Sequence, residues 1–168
     1  MNIIWIIQQL DNNGKLISEH FKDISTEQAK WKPSPDKWSM LEVLNHLYEE
    51  EKDDFRKRLG LLLTDPKTAW PPIDPERWAV ERKYNARDLN GSMENFLKER
   101  DVSINWLKNI KDPSWDNEYR KLKTINVRAG DLLFSWVVHD LIHIRQLTDL
   151  KIDHLEKNPA YSTRYAMP

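Results

Sequence analysis

The stretch WVVHDLIHIRQL, residues 136–147, decides the fold. Its apolar positions follow a helical period on two sides. Leu132, Trp136, His139, Ile142, Gln146 and Leu150 share one side; Leu133, Val137, Leu141 and Ile144 fill the other. A helix apolar nearly all round sits deep in a bundle. Within it, His139 and His143 stand four residues apart, so both imidazoles leave the same face. That spacing lets two rings reach one divalent ion. A pair of partly buried structural histidines is the competing reading, and a third ligand with one open position would mark a catalytic metal site.

Working outward, this helix is expected over about 128–156, and three more segments carry the same periodicity. The first covers about 2–24, with Ile3, Ile7, Leu10, Ile17, Phe21 and Ile24 aligned and Gly14 as a weak point. The Pro-rich turn WKPSPDKWS follows. Ser39 then reads as an N-cap with Glu42 three residues on, a capping box opening a helix over about 40–63. The third helix covers about 87–110, with Leu89, Met93, Phe96, Ile104 and Leu107 on its stripe. Arg100 falls on that stripe too; its guanidinium either snorkels to the surface, the expected outcome, or needs a buried partner or a wet cavity. Between the second and third helices, residues 64–86 hold Pro66, Pro71, Pro72 and Pro75, a connection long enough to cross the end of a bundle or run its length. The stretch 111–127 is irregular, no strand-like alternation competes, and the tail from Pro159 is expected to lie against the surface. The reading is all-α: one four-helix-bundle domain spanning residues 1–168.

Composition narrows the function. Lys and Arg number 26 against 27 Asp and Glu, a net charge near −1 that leaves no footprint for nucleic acid or an anionic membrane. The acids Glu49, Glu50, Glu51, Asp53 and Asp54, followed by Arg56-Lys57-Arg58, read as a solvated helix face. With no cysteine in the chain, thiolate ligands and a cysteine nucleophile are excluded. The start, MNIIWIIQQL, has no basic flank and is broken by Gln8 and Gln9, so neither a signal peptide nor a membrane span is expected, and a cytoplasmic location is the default. Of eight tryptophans, Trp31, Trp38, Trp70, Trp78 and Trp115 lie outside the periodic segments and are expected to pack loops onto the bundle.

Three histidines remain as a third ligand. His154 is roughly 16 Å beyond His143 at ~1.5 Å per residue, too far to join. His20, at the edge of the first stripe, stays a candidate. His46 points roughly opposite Leu44 and Phe55 at about 100° per residue. Periodicity alone therefore places it towards solvent, beside Ser39, Glu42, Glu49, Glu50 and Asp53. As a ligand it would require its helix to turn a polar face to an open cleft.

Taken together, these residues resemble a known family. WSMLEVLNHL, residues 38–47, resembles the W-S-x-x-E-x-L-x-H-L stretch of the DinB/YfiT-like superfamily, and HDLIHIRQL, residues 139–147, its last-helix H-x3-H-x2-Q. FLKERDVSINWL, which contains Arg100, is similar to the family's third helix, and PAYSTRYAMP more weakly to its tail. The resemblance covers most of the chain in the same order. It implies an up-down-down-up four-helix bundle and a divalent metal held by His46, His139 and His143, and so sets His20 aside. It also implies a homodimer and, from characterised relatives, thiol-dependent transferases or isomerases that use bacillithiol or mycothiol.

Three neutral imidazoles leave a divalent ion its full charge. Water at the open position of a zinc site is acidified toward a pKa of about 7, and a thiol ionises more readily still. Zinc, nickel or iron could accept such ligands. The expected function is metal-dependent S-transfer from a low-molecular-weight thiol to a small electrophile. The alternatives are hydrolysis by bound water and a metal-binding, stress-response dimer without catalysis. Glu42, Glu49, Glu50 and Asp140 are candidates to orient ligands or move protons, Gln146 to face the site, and Arg100 to hold a carboxylate.

Overall fold

The computed structural model describes residues 2–120, 122, 125–157 and 160–166. Its main helices are α1 (Ile3–His20), α3 (Met40–Glu49) continued through a π-helical turn (Glu50–Phe55) into α4 (Arg56–Thr64), α6 (Leu89–Asn109) and α7 (Ala129–Glu156). Short helices α2 (Thr26–Lys30) and α5 (Pro75–Glu81) lie in the connections. The stretch expected to be irregular also carries a small antiparallel pair, β1 (Glu118–Tyr119) on β2 (Val127–Arg128).

Each boundary has a local cause. Helix α1 stops short of the expected residue 24 because Asp23 takes a left-handed φ of 58°, which a helix cannot continue through. The Ser39 capping box is present in full: Glu42 N donates to Ser39 Oγ at 3.1 Å and Ser39 N donates to Glu42 Oε2 at 2.8 Å. In the crossover, Asp74 caps Pro75, the residue suited to a first helical position. Pro159 lies outside the described residues; beyond it the tail forms a single turn at Arg164–Ala166, with Tyr161 and Tyr165 exposed.

The direction of the helices follows from which residues share a core. At one end, Ile6, Ile7 and Leu10 of α1 pack with Leu59 and Leu62 of α4, Ile104 and Leu107 of α6, and Leu132, Leu133 and Trp136 of α7. At the other end, Ile17 meets Met40, Leu41, Leu44 and Leu47 of α3, Phe96 of α6, and Leu147 and Leu150 of α7. Helices α1 and α7 therefore run one way, and α3–α4 and α6 the other. This is the up-down-down-up order. Parallel neighbours need a long return, and residues 65–88 supply it.

That crossover is fastened to α3. Arg87 Nη1 donates to Asn45 Oδ1 at 2.8 Å and its Nη2 to Glu49 Oε1 at 3.1 Å, while Arg82 pairs with Glu49. Helix α3 is consequently buried on all sides from Met40 to Leu47. Most of the expected solvated face is buried: Glu49, Glu50, Glu51 and Asp54 are inside, Asp53, Arg56 and Arg58 are partly buried, and Lys57 is exposed. The expectation failed because periodicity assumes solvent on the far side of a stripe, whereas the crossover occupies it. The π turn adds to the error by breaking the 100° count between Leu44 and Phe55.

Between the two apolar ends lies a polar layer built from α1, the π turn, α6 and α7. Asn13 of α1, Glu51 of the π turn, Arg100 of α6 and Asp140 of α7 each fall between residues of the two cores, and all are buried. Arg100 does not snorkel. Its Nη1 donates to Asp140 Oδ2 at 2.7 Å and to the Leu10 carbonyl at 2.6 Å, its Nη2 to Asp140 Oδ1 at 2.8 Å, and Glu51 Oε1 lies 2.6 Å away. Gly14 lets the stem pass: a Cβ there would stand 3.3 Å from Arg100 Cγ.

Candidate metal centre

The three histidines meet in this layer. His46 comes from the second turn of α3, and His139 and His143 from successive turns of α7. The Nε2 atoms form a nearly equilateral triangle: 3.2 Å between His46 and His139, 3.1 Å between His46 and His143, and 3.2 Å between His143 and His139. His46, placed towards solvent by periodicity alone, is buried, because α3 turns it onto α7 and Trp38 covers it with ring centroids 5.0 Å apart. His20 and His154 stand apart from the triangle; His154 packs edge-on against Trp31.

Burial dominates the electrostatics. It lowers the pKa of all three rings, with His46 well below its ordinary value and His139 down to about 3, the latter helped by the charges of His143 and Arg100. His143 is lowered less, since the hydrogen bond to Gln146 and the Asp140 charge work in the opposite direction. All three are neutral at pH 7. The Gln146 amide oxygen lies 2.8 Å from His143 Nδ1, a contact that suits the tautomer with its proton on Nδ1 and a lone pair on Nε2 facing the triangle.

This arrangement fits a cation. Three neutral rings cannot place protons so that all three edges of the triangle become hydrogen bonds, because two N–H groups would collide or two lone pairs would face each other. One ion at ~2.0–2.1 Å from each nitrogen satisfies all three at once. These residues could hold a metal ion, and among the described residues no carboxylate joins the cluster.

The other polar candidates divide sharply. Gln146 fixes the His143 tautomer, and Glu50 stands behind His46, its Oε1 3.7 Å from Nδ1. The Glu50 carboxyl is pushed well up by burial and then by the neighbouring Asp54, which itself pairs with Arg58 at 2.8 Å. Glu42 closes the capping box and pairs with Lys32 at 3.2 Å; Glu49 anchors the crossover; Asp140 is committed to Arg100. Glu51, which the charge pattern places on a solvated face, belongs instead to the buried polar layer. It accepts from Trp136 Nε1 at 2.9 Å as well as from Arg100, and burial raises its pKa. Its signal was its place midway between Leu47 and Phe55, four residues from each on the same side of the chain.

Two clefts lie near the triad, one lined by His139 and the other by the triad's neighbours Trp38 and Gln146. The second, of about 320 Å³, is also lined by Lys37, Asp149 and Asp153. The first, of about 380 Å³, is lined by Phe55, Phe134, Ser135, Val138, His139 and Ile142. Of the loop tryptophans, Trp38 is the one against a triad ring. Trp70 stacks on Tyr119, Trp78 lies under Arg82, and Trp115 packs on the core.

An up-down-down-up bundle with a buried histidine triangle between its second and last helices defines a class of helical proteins with a candidate metal centre. The chain belongs to the DinB superfamily, whose family model matches residues 9–147. Among solved structures it is similar to YfiT from Bacillus subtilis, with a TM-score of 0.77 and 19% identity over 88% of this chain and 85% of that one. YfiT is described as a probable metal-dependent hydrolase with an unusual four-helix bundle topology. At that identity the likeness carries the fold alone. No curated protein sequence matches the chain. Among the described residues no helix is long and apolar enough to cross a membrane.

Proposed function

We propose that the protein is a metalloenzyme in which His46, His139 and His143 hold one divalent ion, and that it transfers a low-molecular-weight thiol to a small electrophile. The observation that carries this reading is the Nε2 triangle with edges of 3.1–3.2 Å. A divalent ion there would act as a Lewis acid that lowers the pKa of an exchangeable ligand. The chain's own residues hold the rings neutral, fix the His143 tautomer through Gln146 and exclude water around His46 with Trp38. Zinc, nickel and iron all accept three imidazoles.

Thiol transfer is preferred because of what surrounds the triad. Glu42, Glu49 and Asp140 are bound elsewhere, and Glu50 lies buried behind the His46 ring beside Asp54. A thiol is acidic enough to ionise without a carboxylate base. In the reaction an S–C bond forms, the bond from carbon to its leaving group breaks, and the thiol proton departs with that group. Hydrolysis is the second reading, favoured by the description of YfiT. A homodimer is part of the proposal on family grounds.

The deciding experiment incubates metal-loaded protein with a small electrophile, with and without a low-molecular-weight thiol. Product formation that depends on the thiol is expected. Turnover indifferent to it would overturn the transferase and leave the hydrolase; no turnover with either, at full metal loading, would favour a non-catalytic metal-binding protein.

A further inference from the structure

The cleft on the His139 side differs from the rest of the triad's surroundings. Phe134, Val138 and Ile142 follow one another at four-residue steps along α7, each about half exposed at 47%, 52% and 48%. Large apolar side chains in successive outward positions beside polar clefts mark a contact surface rather than chance exposure. The floor is rigid: Phe55 packs against the His139 ring at 5.1 Å and is stacked from behind on buried Trp136, with planes 9° apart. Ser135 is the one hydroxyl in the lining, and it donates to the Asp131 carbonyl at 2.8 Å. No charged side chain lines the cleft. The cleft across the triad carries Lys37, Asp149 and Asp153 and can solvate charge.

We infer that the Phe55–Phe134–Val138–Ile142 cleft is the acceptor subsite, and that it takes an uncharged, apolar ligand of the size of a benzene ring or a short alkyl chain. This rests on the reading of the triad as a metal centre. The cleft's volume, about 380 Å³, is at the lower end of ligand pockets and leaves room for one ring against Phe55. His139 is both a wall of the cleft and a corner of the triangle, so a ligand seated here lies against one of the rings that would hold the ion. A carboxylate in the same place would meet an apolar lining whose one hydroxyl, Ser135, already donates to the Asp131 carbonyl, which selects against charged acceptors. Phe134 and Phe55 supply aromatic faces, while Val138 and Ile142 set the width.

The test is a binding titration rather than an assay of turnover. Protein stripped of metal and reconstituted with Co²⁺ is titrated with acetohydroxamate and with benzohydroxamate, which share a metal-binding head and differ only in methyl against phenyl. Binding is read from the visible Co²⁺ spectrum. Benzohydroxamate is expected to bind at least about tenfold tighter, from the additional apolar surface it buries. In V138N/I142N, two exposed helix positions, that preference should fall to about twofold or less. Equal affinity for the two probes in the unaltered protein would overturn the subsite while leaving the metal centre standing. Absence of a Co²⁺ spectrum that depends on His139 would remove the centre and the subsite together. If V138N/I142N instead changes the sedimentation coefficient and leaves the probe preference unaltered, the face belongs to a second copy of the chain, and the inference is wrong.

Discussion

Arg100 and Asp140 make a two-point contact inside the bundle, Nη1 to Oδ2 at 2.7 Å and Nη2 to Oδ1 at 2.8 Å, one residue from His139. The contact ties α6 to the helix that carries two of the three histidines. Removing only the guanidinium leaves Asp140 and Glu51 buried without a counter-charge. R100L is therefore expected to cost about 3–5 kcal/mol in urea unfolding. The triple variant R100L/D140L/E51L should be less destabilised than R100L alone. A triple variant that is worse would show that packing, not charge, dominates there.

Metal content gives the most direct measurement. Untagged protein should carry about one divalent ion per chain, and H46A, H139A and H143A should each lose it. H20A and H154A should retain it, since neither ring belongs to the triangle. Circular dichroism of each variant separates loss of the ion from loss of the fold.

Gln146 touches the candidate centre through His143, with its amide oxygen 2.8 Å from Nδ1. Q146L would free the ring to change tautomer or rotate, and a loss of about 10–100-fold in metal affinity is expected. Competition with a chromophoric chelator measures it. An unchanged affinity would mean that burial alone orients the ring.

The metal-free protein should be acid-labile in a defined window. Burial lowers the pKa of the three triad imidazoles in the folded chain, with His139 at about 3. In the unfolded chain each recovers a value near 6.5. Between those values the unfolded state binds protons that the folded state does not. Stability contributed by neutral rings is therefore present above about pH 6.5 and is lost as pH falls, by up to about 1.4 kcal/mol per pH unit for each ring. H139Q should have a shallower slope in thermal melts between pH 6 and pH 4.

Two helical glycines should respond in opposite ways to alanine. At Gly60 the nearest neighbour of an added Cβ is Trp106 Cζ2 at 3.8 Å, an ordinary contact, so G60A should gain about 0.5–1 kcal/mol from helix propensity. At Gly14 the neighbour is Arg100 Cγ at 3.3 Å, on a side chain clamped at its far end by Asp140, Glu51 and Leu10. G14A should forfeit that gain or reverse it. Parallel thermal melts compare them.

Much of this architecture can be read from periodicity. The four main helices fall where apolar spacing puts them, and the Ser39 cap is visible as Ser39 with Glu42. The i, i+4 spacing of His139 and His143 already marks a shared face. His46 was not legible that way, because its neighbours in space are set by the crossover and by α7, both far off in sequence; the motif around it supplied the reading instead. The fate of the acids was hidden for the same reason. Glu49 and its acidic neighbours read as solvated until Arg82 and Arg87 arrive from more than thirty residues away. The π turn leaves no mark in hydropathy at all.

The layer formed by Asn13, Glu51, Arg100 and Asp140 also works as an indexing notch. Two greasy ends alone would tolerate a helix sliding by one turn, since leucine meets leucine almost as well one step along. Such a slip here would strand a guanidinium opposite hydrocarbon and pull both carboxylates away from it. The same four side chains that reject misaligned packing thereby set the height at which residues 46, 139 and 143 come face to face.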